Sequence, residues 1–290
     1  MKCTLLDVFS DQPLRGNGLA VFETSGTLST REMLEYTREV RQFESIFFTQ
    51  TSQQGRVDAR VFTMEEELEF AGHPLLGLAA HLHAQYGTRD THQWQIALPN
   101  MSVSVASFRK AHHYHAVMQQ DAPDFIGQIP AHLYKQVMNS LSLRHDARAD
   151  FPIEVISTGL PYLIVPVIKD LQHAHIISNS FESLLNRVGA RFVYVLDILT
   201  LEGRTWDNQG QVEDIATGSA AGPAAAYLHR HGLLDQTNSL EIQQGRFMHR
   251  PCKMTVQVDT KNGRIGNIRV GGDVCEVADI TFRNDHSKTS

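Results

Sequence analysis

Apolar and polar positions alternate over short stretches at the start of the chain. Residues 3–9 and 18–22 are β-prone runs split by Ser10–Asn17, which carries Pro13 and Gly16, so strand, loop and strand are predicted. Ser29 with Glu32 forms a capping-box pattern, and Met33, Tyr36, Thr37 and Val40 follow at helical spacing. That helix is expected to stop near Gln42. Ser45–Thr49 reads as the next strand, which sets Glu44 at a helix-to-strand junction. Arg56–Thr63 is another strand, Leu68–Phe70 a short extended piece, and Ala71-Gly72-His73-Pro74 a break.

The pattern then changes. In Leu75–Ala84 almost every position is apolar, and Gly77, Ala79, Ala80 and Ala84 keep the cross-section small. A helix apolar on all sides is buried on all sides, and a sheet wrapped round it would supply the walls. Gln93–Gln119 alternates enough for further strands, and Pro130–Leu143 reads as an amphipathic helix. The second half repeats the plan. Strands are expected at Pro152–Ser157, Tyr162–Val167 and Phe192–Leu196, with a helix at Phe181–Val188. A turn-rich stretch reaches Ala216-Thr217-Gly218-Ser219, and the small, apolar run Ala220–Leu228 follows. Strands close the chain at Leu240–Gln243, Met254–Val258, Ile265–Val270 and Val274–Ile280, before a polar tail from Arg283 that is expected to fray.

Set side by side, Gly72 maps to Gly218, His73 to Ser219, and Leu78–Leu82 to Ala224–Leu228, an offset of about 146 in a chain of 290 residues. The order of elements repeating at one offset is the mark of a duplicated plan. The fold class expected is α+β, with two pseudo-symmetric domains, each a curled, barrel-like mixed sheet around one buried helix. The boundaries expected are 1–120 plus 275–290 for the first domain and 121–274 for the second.

Composition narrows the function. Lys+Arg number 26 against 32 Asp+Glu, a formal charge of −6, which disfavours nucleic acid and anionic membranes as partners. No apolar run is long enough for a transmembrane helix, and Asp7 interrupts any signal-peptide core, so a cytoplasmic protein is expected. Cys3, Cys252 and Cys275 are too scattered for a disulfide framework or a metal knuckle. Histidine is abundant at 15. His113 and His115 would share a strand face, but no carboxylate or cysteine set near them in sequence completes a closed site, so no metal is expected. Gly16-x-Gly18 lacks the third glycine of a dinucleotide fingerprint, and no cofactor is expected.

Both buried helices begin at a glycine-bearing loop. Such a start offers free N–H groups and a positive dipole end, which suits a carboxylate. For either loop alone, a tight turn into a crowded helix is explanation enough. The pair points to a site between the domains for a small carboxylate substrate. His73 on the first loop, Asp214 just before the second and Glu44 at its junction are general acid–base equipment. Each also has a plain structural reading: a helix-end charge for Glu44, a backbone hydrogen bonder for His73, a turn or cap residue for Asp214. Phe43, Phe47 and Phe70 are candidates to line a dry pocket that would raise a carboxylic acid's pKa.

Several segments occur in series: Leu6-Asp7-Val8-Phe9, Leu14-Arg15-Gly16-Asn17-Gly18-Leu19-Ala20-Val21-Phe22, Glu44-Ser45-Ile46-Phe47-Phe48, and Arg60-Val61-Phe62-Thr63. Glu69-Phe70-Ala71-Gly72-His73-Pro74-Leu75-Leu76-Gly77 and Glu213-Asp214-Ile215-Ala216-Thr217-Gly218-Ser219-Ala220-Ala221-Gly222 follow. Over nearly the whole chain the set resembles the PhzF (phenazine biosynthesis) family, within the diaminopimelate epimerase-like fold. The resemblance implies a cofactor-independent isomerase, usually a homodimer, similar to trans-2,3-dihydro-3-hydroxyanthranilate isomerase. In that activity a glutamate takes a ring proton and one is returned at another ring carbon.

Glu44 falls at that glutamate, and His73 and Asp214 at the assisting and amine-binding positions. Gly72, Thr217, Gly218 and Ser219 match substrate-holding positions, and Asn17 and Phe43 join them as substrate-binding candidates. The sequence departs from the family pattern at Phe43, where a small hydroxyl residue is usual, and at Ile215 and Gly18, where proline is common. Two alternatives remain open: a binding protein of this fold without turnover, and an amino-acid epimerase or racemase. Two-base epimerases of this fold carry a thiol on each helix-start loop; here His73 and Ser219 stand there, which favours one base. Hydrolysis by Ser219 is weak, because no Gly-x-Ser-x-Gly elbow surrounds it.

Overall fold

A computed structural model describes residues 1–26, 28–261 and 263–283. The rest of the polar tail expected to fray, 284–290, lies outside the described residues. The chain divides into two compact units, Met1–Met118 with Gly272–Ser290, and Gln119–Gly271.

In the first unit the strands are β1 (Lys2–Val8), β2 (Asn17–Glu23), β3 (Glu44–Gln50), β4 (Arg56–Phe62), β5 (Glu67–Leu68), β6 (Thr91–Leu98), β7 (Met101–Arg109) and β8 (Tyr114–Gln120), whose last two residues belong to the second unit. The helices are α1 (Thr30–Val40) and α2 (Gly72–Tyr86). The sheet runs β1-β2-β3-β4-β6-β7-β8 and is closed by the last strand of the chain, which also pairs with β1. The result is a barrel around α2, in which Leu75, Leu76, Leu78 and Ala79 have no solvent exposure. Helix α1 packs outside, with Met33 against Phe22, Phe47 and Phe62. Ser29 and Glu32 cap it reciprocally, as their spacing predicts, and Arg41 ends it in a left-handed conformation.

The second unit holds β9 (Asp124–Gln128), α3 (Tyr134–Ser140), β10 (Glu154–Ser157), β11 (Pro161–Val167), α4 (Phe181–Arg187), β12 (Phe192–Asp197) and β13 (Glu202–Arg204). It continues with α5 (Gly218–Arg230), β14 (Ser239–Gln244) and β15 (Cys252–Lys261). The sheet order is β15-β14-β13-β12-β11-β10-β9, and it curls round α5, whose Ala220, Ala221, Ala224 and Ala225 are wholly buried. Helices α3 and α4 cover its outer face through Val137, Met138, Phe181, Leu184 and Leu185.

The duplication is visible in the pairing itself. From β1 through β2, β3, β4 and β6 to β7, successive pairs run antiparallel, parallel, antiparallel, parallel, antiparallel. From β10 through β11, β12, β13 and β14 to β15 the same series recurs. Gly72 and Gly218, matched by sequence offset, are the first residues of α2 and α5.

Three expectations need correction. The two strands expected at Ile265–Val270 and Val274–Ile280 are one, β16 (Arg264–Thr281). Its first part pairs with β15 and its last part with β1, so Gly271-Gly272 is bridged rather than broken. The amphipathic helix expected over Pro130–Leu143 is a short 3₁₀ turn followed by α3. The turn-rich stretch before Ala216 contains β13, three residues long. Among the described residues no helix is long and apolar enough to cross a membrane.

Candidate active site

Strand alternation decides what Glu44 meets. Successive β3 side chains point to opposite faces, so Glu44, Ile46 and Phe48 face α2, where Phe48 meets the His81 ring at 5.9 Å. Ser45 and Phe47 face the other way. Phe47 therefore does not line the pocket expected of it: it stacks on Phe22 at 4.5 Å in the core beneath α1. Glu44 itself is only 7% exposed.

His73 comes from the first turn of α2 rather than from a loop, as does Pro74. Proline is tolerated there because its missing N–H would have had no partner within the helix. A Cβ on Gly72 would stand 2.8 Å from the Met118 methyl, so the start of α2 lies close against β8. This placement brings His73 Nδ1 to 3.3 Å from Glu44 Oε2, with both side chains more than nine-tenths buried. Burial lowers the His73 pKa to about 3, against the opposing effect of a hydrogen bond with the Gly18 backbone. The imidazole is neutral at pH 7, and its Nε2 is buried with no hydrogen-bond partner among the described residues. Asn17, fully buried, opens β2 beside Gly18. Phe43, immediately before Glu44, is 37% exposed and Phe70, before α2, is similarly open.

The neutral imidazole has a consequence for stability. Between the ordinary histidine value near 6.5 and about 3, the unfolded chain binds a proton at His73 that the native state does not. This contribution is complete above pH 6.5 and is lost as the pH falls through that window. Urea titrations at pH 7 and pH 4.5 are expected to show a smaller loss of stability for His73→Gln than for the parent. Equal losses would contradict the buried neutral state.

In the second unit, Asp214, Thr217, Gly218 and Ser219 gather at the start of α5. Thr217 Oγ1 donates to Asp214 Oδ2 at 2.5 Å, and the Ala216 N–H donates to Asp214 Oδ1 at 3.3 Å. Like His73, Gly218 and Ser219 lie within the helix's first turn instead of preceding it. Ser219 Oγ is 2.8 Å from the Tyr162 hydroxyl, and burial holds that phenol well above its ordinary pKa. Gln120 donates to the Gly218 carbonyl at 2.9 Å. Gln244 donates to the Asp214 main-chain carbonyl at 2.9 Å and to Thr217 Oγ1 at 3.0 Å. The sequence gives no hint of Tyr162, Gln120 or Gln244, which lie tens of residues from the loop they hold.

Cys3, Cys252 and Cys275 are buried thiols that form no disulfide, and burial pushes the Cys3 thiol up to about 12. His115 Nδ1 donates to Asp273 Oδ1 at 2.7 Å, and His113 Nε2 lies 3.4 Å from the same oxygen. Burial would raise the Asp273 pKa, but the hydrogen bond from His115 and the charges of His115, His113 and Lys110 outweigh it and hold it low. Both histidines are thus engaged with one carboxylate. Among the described residues no group of three His, Cys, Asp or Glu side chains could hold a metal ion.

Known proteins share this arrangement of strands. A solved structure of a protein described as a predicted epimerase from Pseudomonas aeruginosa superposes with a TM-score of 0.89 at 43% identity, covering 98% of this chain and 99% of that one. A probable proline racemase from Agrobacterium radiobacter superposes at 0.60 with 11% identity, covering 99% and 94%, a likeness of fold alone that marks the architecture as epimerase-like. The trans-2,3-dihydro-3-hydroxyanthranilate isomerase of Pseudomonas aeruginosa is 30% identical over 286 residues, 94% of this chain and 95% of that protein. The sequence profile described as phenazine biosynthesis-like protein matches residues 6–279, and with a match of that extent the chain belongs to the PhzC-PhzF family.

Proposed function

We propose that this protein is an isomerase that moves a proton between two carbons of a small carboxylate substrate, with Glu44 as the single acid/base. The observation that carries the reading is the buried contact between Glu44 and a neutral His73. The isomerase class is supported by the relatives' names, among them trans-2,3-dihydro-3-hydroxyanthranilate isomerase at about 30% identity. In the proposed step the Glu44 carboxylate takes a proton, and the C–H electron pair passes into the substrate's conjugated system. The resulting carboxylic acid returns the proton at a second carbon. Atoms and electrons balance, with no oxidant or reductant consumed.

His73, neutral, supplies a hydrogen-bonding group without a competing charge. The N–H groups at the starts of α2 and α5, at Gly72 and Gly218, suit a carboxylate. Ser219 and Thr217 add hydroxyls, and Asp214 accepts a donor group. The compound named for the relatives carries its amine on a saturated ring carbon and is an alkylammonium near neutral pH, a group suited to Asp214. Asn17 and Phe43 complete the proposed contacts.

The test is proton NMR of trans-2,3-dihydro-3-hydroxyanthranilate, and of a panel of cyclic and open-chain amino carboxylates, incubated with the protein in D₂O. Loss of one C–H signal and appearance of another, or solvent deuterium entering carbon, is expected for at least one compound. Binding measured by calorimetry with neither change in any compound bound would point instead to a binding protein without turnover.

A further inference from the structure

The turn over residues 87–90 joins the end of α2 to β6, and two histidine rings hold it from opposite sides. His83, in the last turn of α2, is wholly buried, and both its ring nitrogens are bonded. Nε2 lies 2.8 Å from the Arg89 main-chain carbonyl, and Nδ1 lies 2.8 Å from Ser107 Oγ. A carbonyl only accepts, so Nε2 carries a proton and donates it. The Trp94 indole N–H, which only donates, reaches Ser107 Oγ at 2.8 Å. The serine oxygen therefore accepts from Trp94, and its own proton goes to His83 Nδ1. Ser107 has no solvent exposure, and among the described residues its hydroxyl has no other acceptor. A second ring proton, on Nδ1, would leave that hydroxyl with nothing to donate to. The geometry thus fixes His83 as the neutral Nε2–H tautomer.

His92, on β6, works in the opposite sense. Its Nε2 accepts from the Thr88 N–H at 2.9 Å and from the Arg89 N–H at 3.1 Å. That nitrogen has no room for a proton, so the neutral ring carries its proton on Nδ1. The two rings are 4.9 Å apart, and His92 stacks on Trp94 at 5.3 Å. The turn packs directly on His83, since a Cβ on Gly87 would stand 2.2 Å from the ring's Cδ2. The charged and titratable groups facing His83 are His92 on β6, Arg109 on β7, Tyr114 on β8 and Asp90 in the turn itself. Burial, chiefly, lowers the His83 pKa. Repulsion from Arg109 and from a protonated His92 acts the same way, against the Arg89 bond and Asp90. Arg109 also donates to the Gly87 carbonyl at 3.2 Å, so its charge stays beside the rings.

We propose that the turn is a proton-released latch: it closes over the end of α2 only while His83 and His92 are both neutral and in opposite tautomers, and a proton taken up by either ring opens it. Opening gives up the bonds at Thr88 and Arg89 that support the last turn of the helix whose first turn carries His73. The latch lies within the first unit and does not rest on the function proposed above.

Imidazole ¹⁵N NMR at pH 7.5 tests the closed state. His83 is expected as the Nε2–H form and His92 as the Nδ1–H form, and the other tautomer or a cation at either ring overturns the proposal. Amide hydrogen exchange, corrected for the intrinsic rate, then compares pH 7.5 with pH 5.5. An imidazole in the open turn titrates at about 6.5. The opening equilibrium read at Thr88 and Arg89 should therefore rise about tenfold for each ring that takes a proton, about a hundredfold in all. At both pH values these amides should stay less protected than Val21, on β2 between β1 and β3, which exchanges when the barrel unfolds. Protection equal to that of Val21 would mean that the turn has no opening of its own, and overturns the latch, as does protection that does not change with pH. His92→Gln supplies an amide oxygen that accepts N–H bonds and takes no proton in this range. His92 is not fully buried, so the variant should fold, and its rise should be only about tenfold. A rise equal to the parent's in folded His92→Gln overturns the role of that ring and the two-ring latch with it.

Discussion

Glu44→Gln is expected to lower turnover by about a thousandfold or more, within the range by which general acid–base groups accelerate reactions. Affinity for a carboxylate ligand should change by no more than a few-fold. The amide has nearly the volume of the carboxylate, so the contact with His73 at 3.3 Å can persist while the ability to take a proton is gone. Stability should not suffer, because the change removes a carboxyl group that is 7% exposed. Glu44→Asp gives a second reading of the same role. It retains the carboxylate but withdraws it by one methylene, and a misplacement of about 1 Å costs on the order of a hundredfold. A structural role for Glu44 predicts the opposite pattern, in which both variants lose stability and neither loses turnover selectively. The decisive measurement is substrate rearrangement by NMR, paired with calorimetric binding. Parent-like rearrangement in Glu44→Gln would end the single-base reading.

The elements that were legible in the sequence are those with strong local signals. The capping box at Ser29 and Glu32 needs only four residues to declare itself. The all-apolar runs before His81 and around Ala224 can sit only inside a sheet, and the matched offset puts Gly72 and Gly218 at equivalent helix starts. The position of Glu44 at a strand's first residue follows from where α1 must stop. What was hidden depends on distant partners. Pro74 reads as a breaker, yet in a first turn it costs nothing, so α2 starts before it. Gly271-Gly272 reads as a turn, yet partners on either side of it keep one strand running. The donors that orient Asp214 come from β12 and β14, and no local pattern announces a hydrogen bond between Tyr194 and Gln244.

The same long-range packing makes Gly203→Ala a strongly damaging single-methyl change in the second unit. Gly203 lies in β13, beside β12, which carries Tyr194. A Cβ at Gly203 would stand about 2.1 Å from the Tyr194 hydroxyl oxygen and 2.2 Å from Cζ. The ring cannot retreat, because Tyr194 is wholly buried and its hydroxyl is tied to Gln244. Overpacking of a rigid core costs about 1–3 kcal/mol, and a clash with a fixed aromatic ring belongs at the top of that range. Urea unfolding should show the midpoint falling with little change in slope. Tyr194→Leu alone is also destabilising, since it leaves a cavity and strips a donor from Gln244. Combined with Gly203→Ala, however, it removes the ring that the new methyl strikes. The double variant should therefore lose clearly less stability than the sum of the two single losses. Additive losses would mean that the strand backbone shifts to accept the methyl, and that Gly203 is not what holds Tyr194 against Gln244.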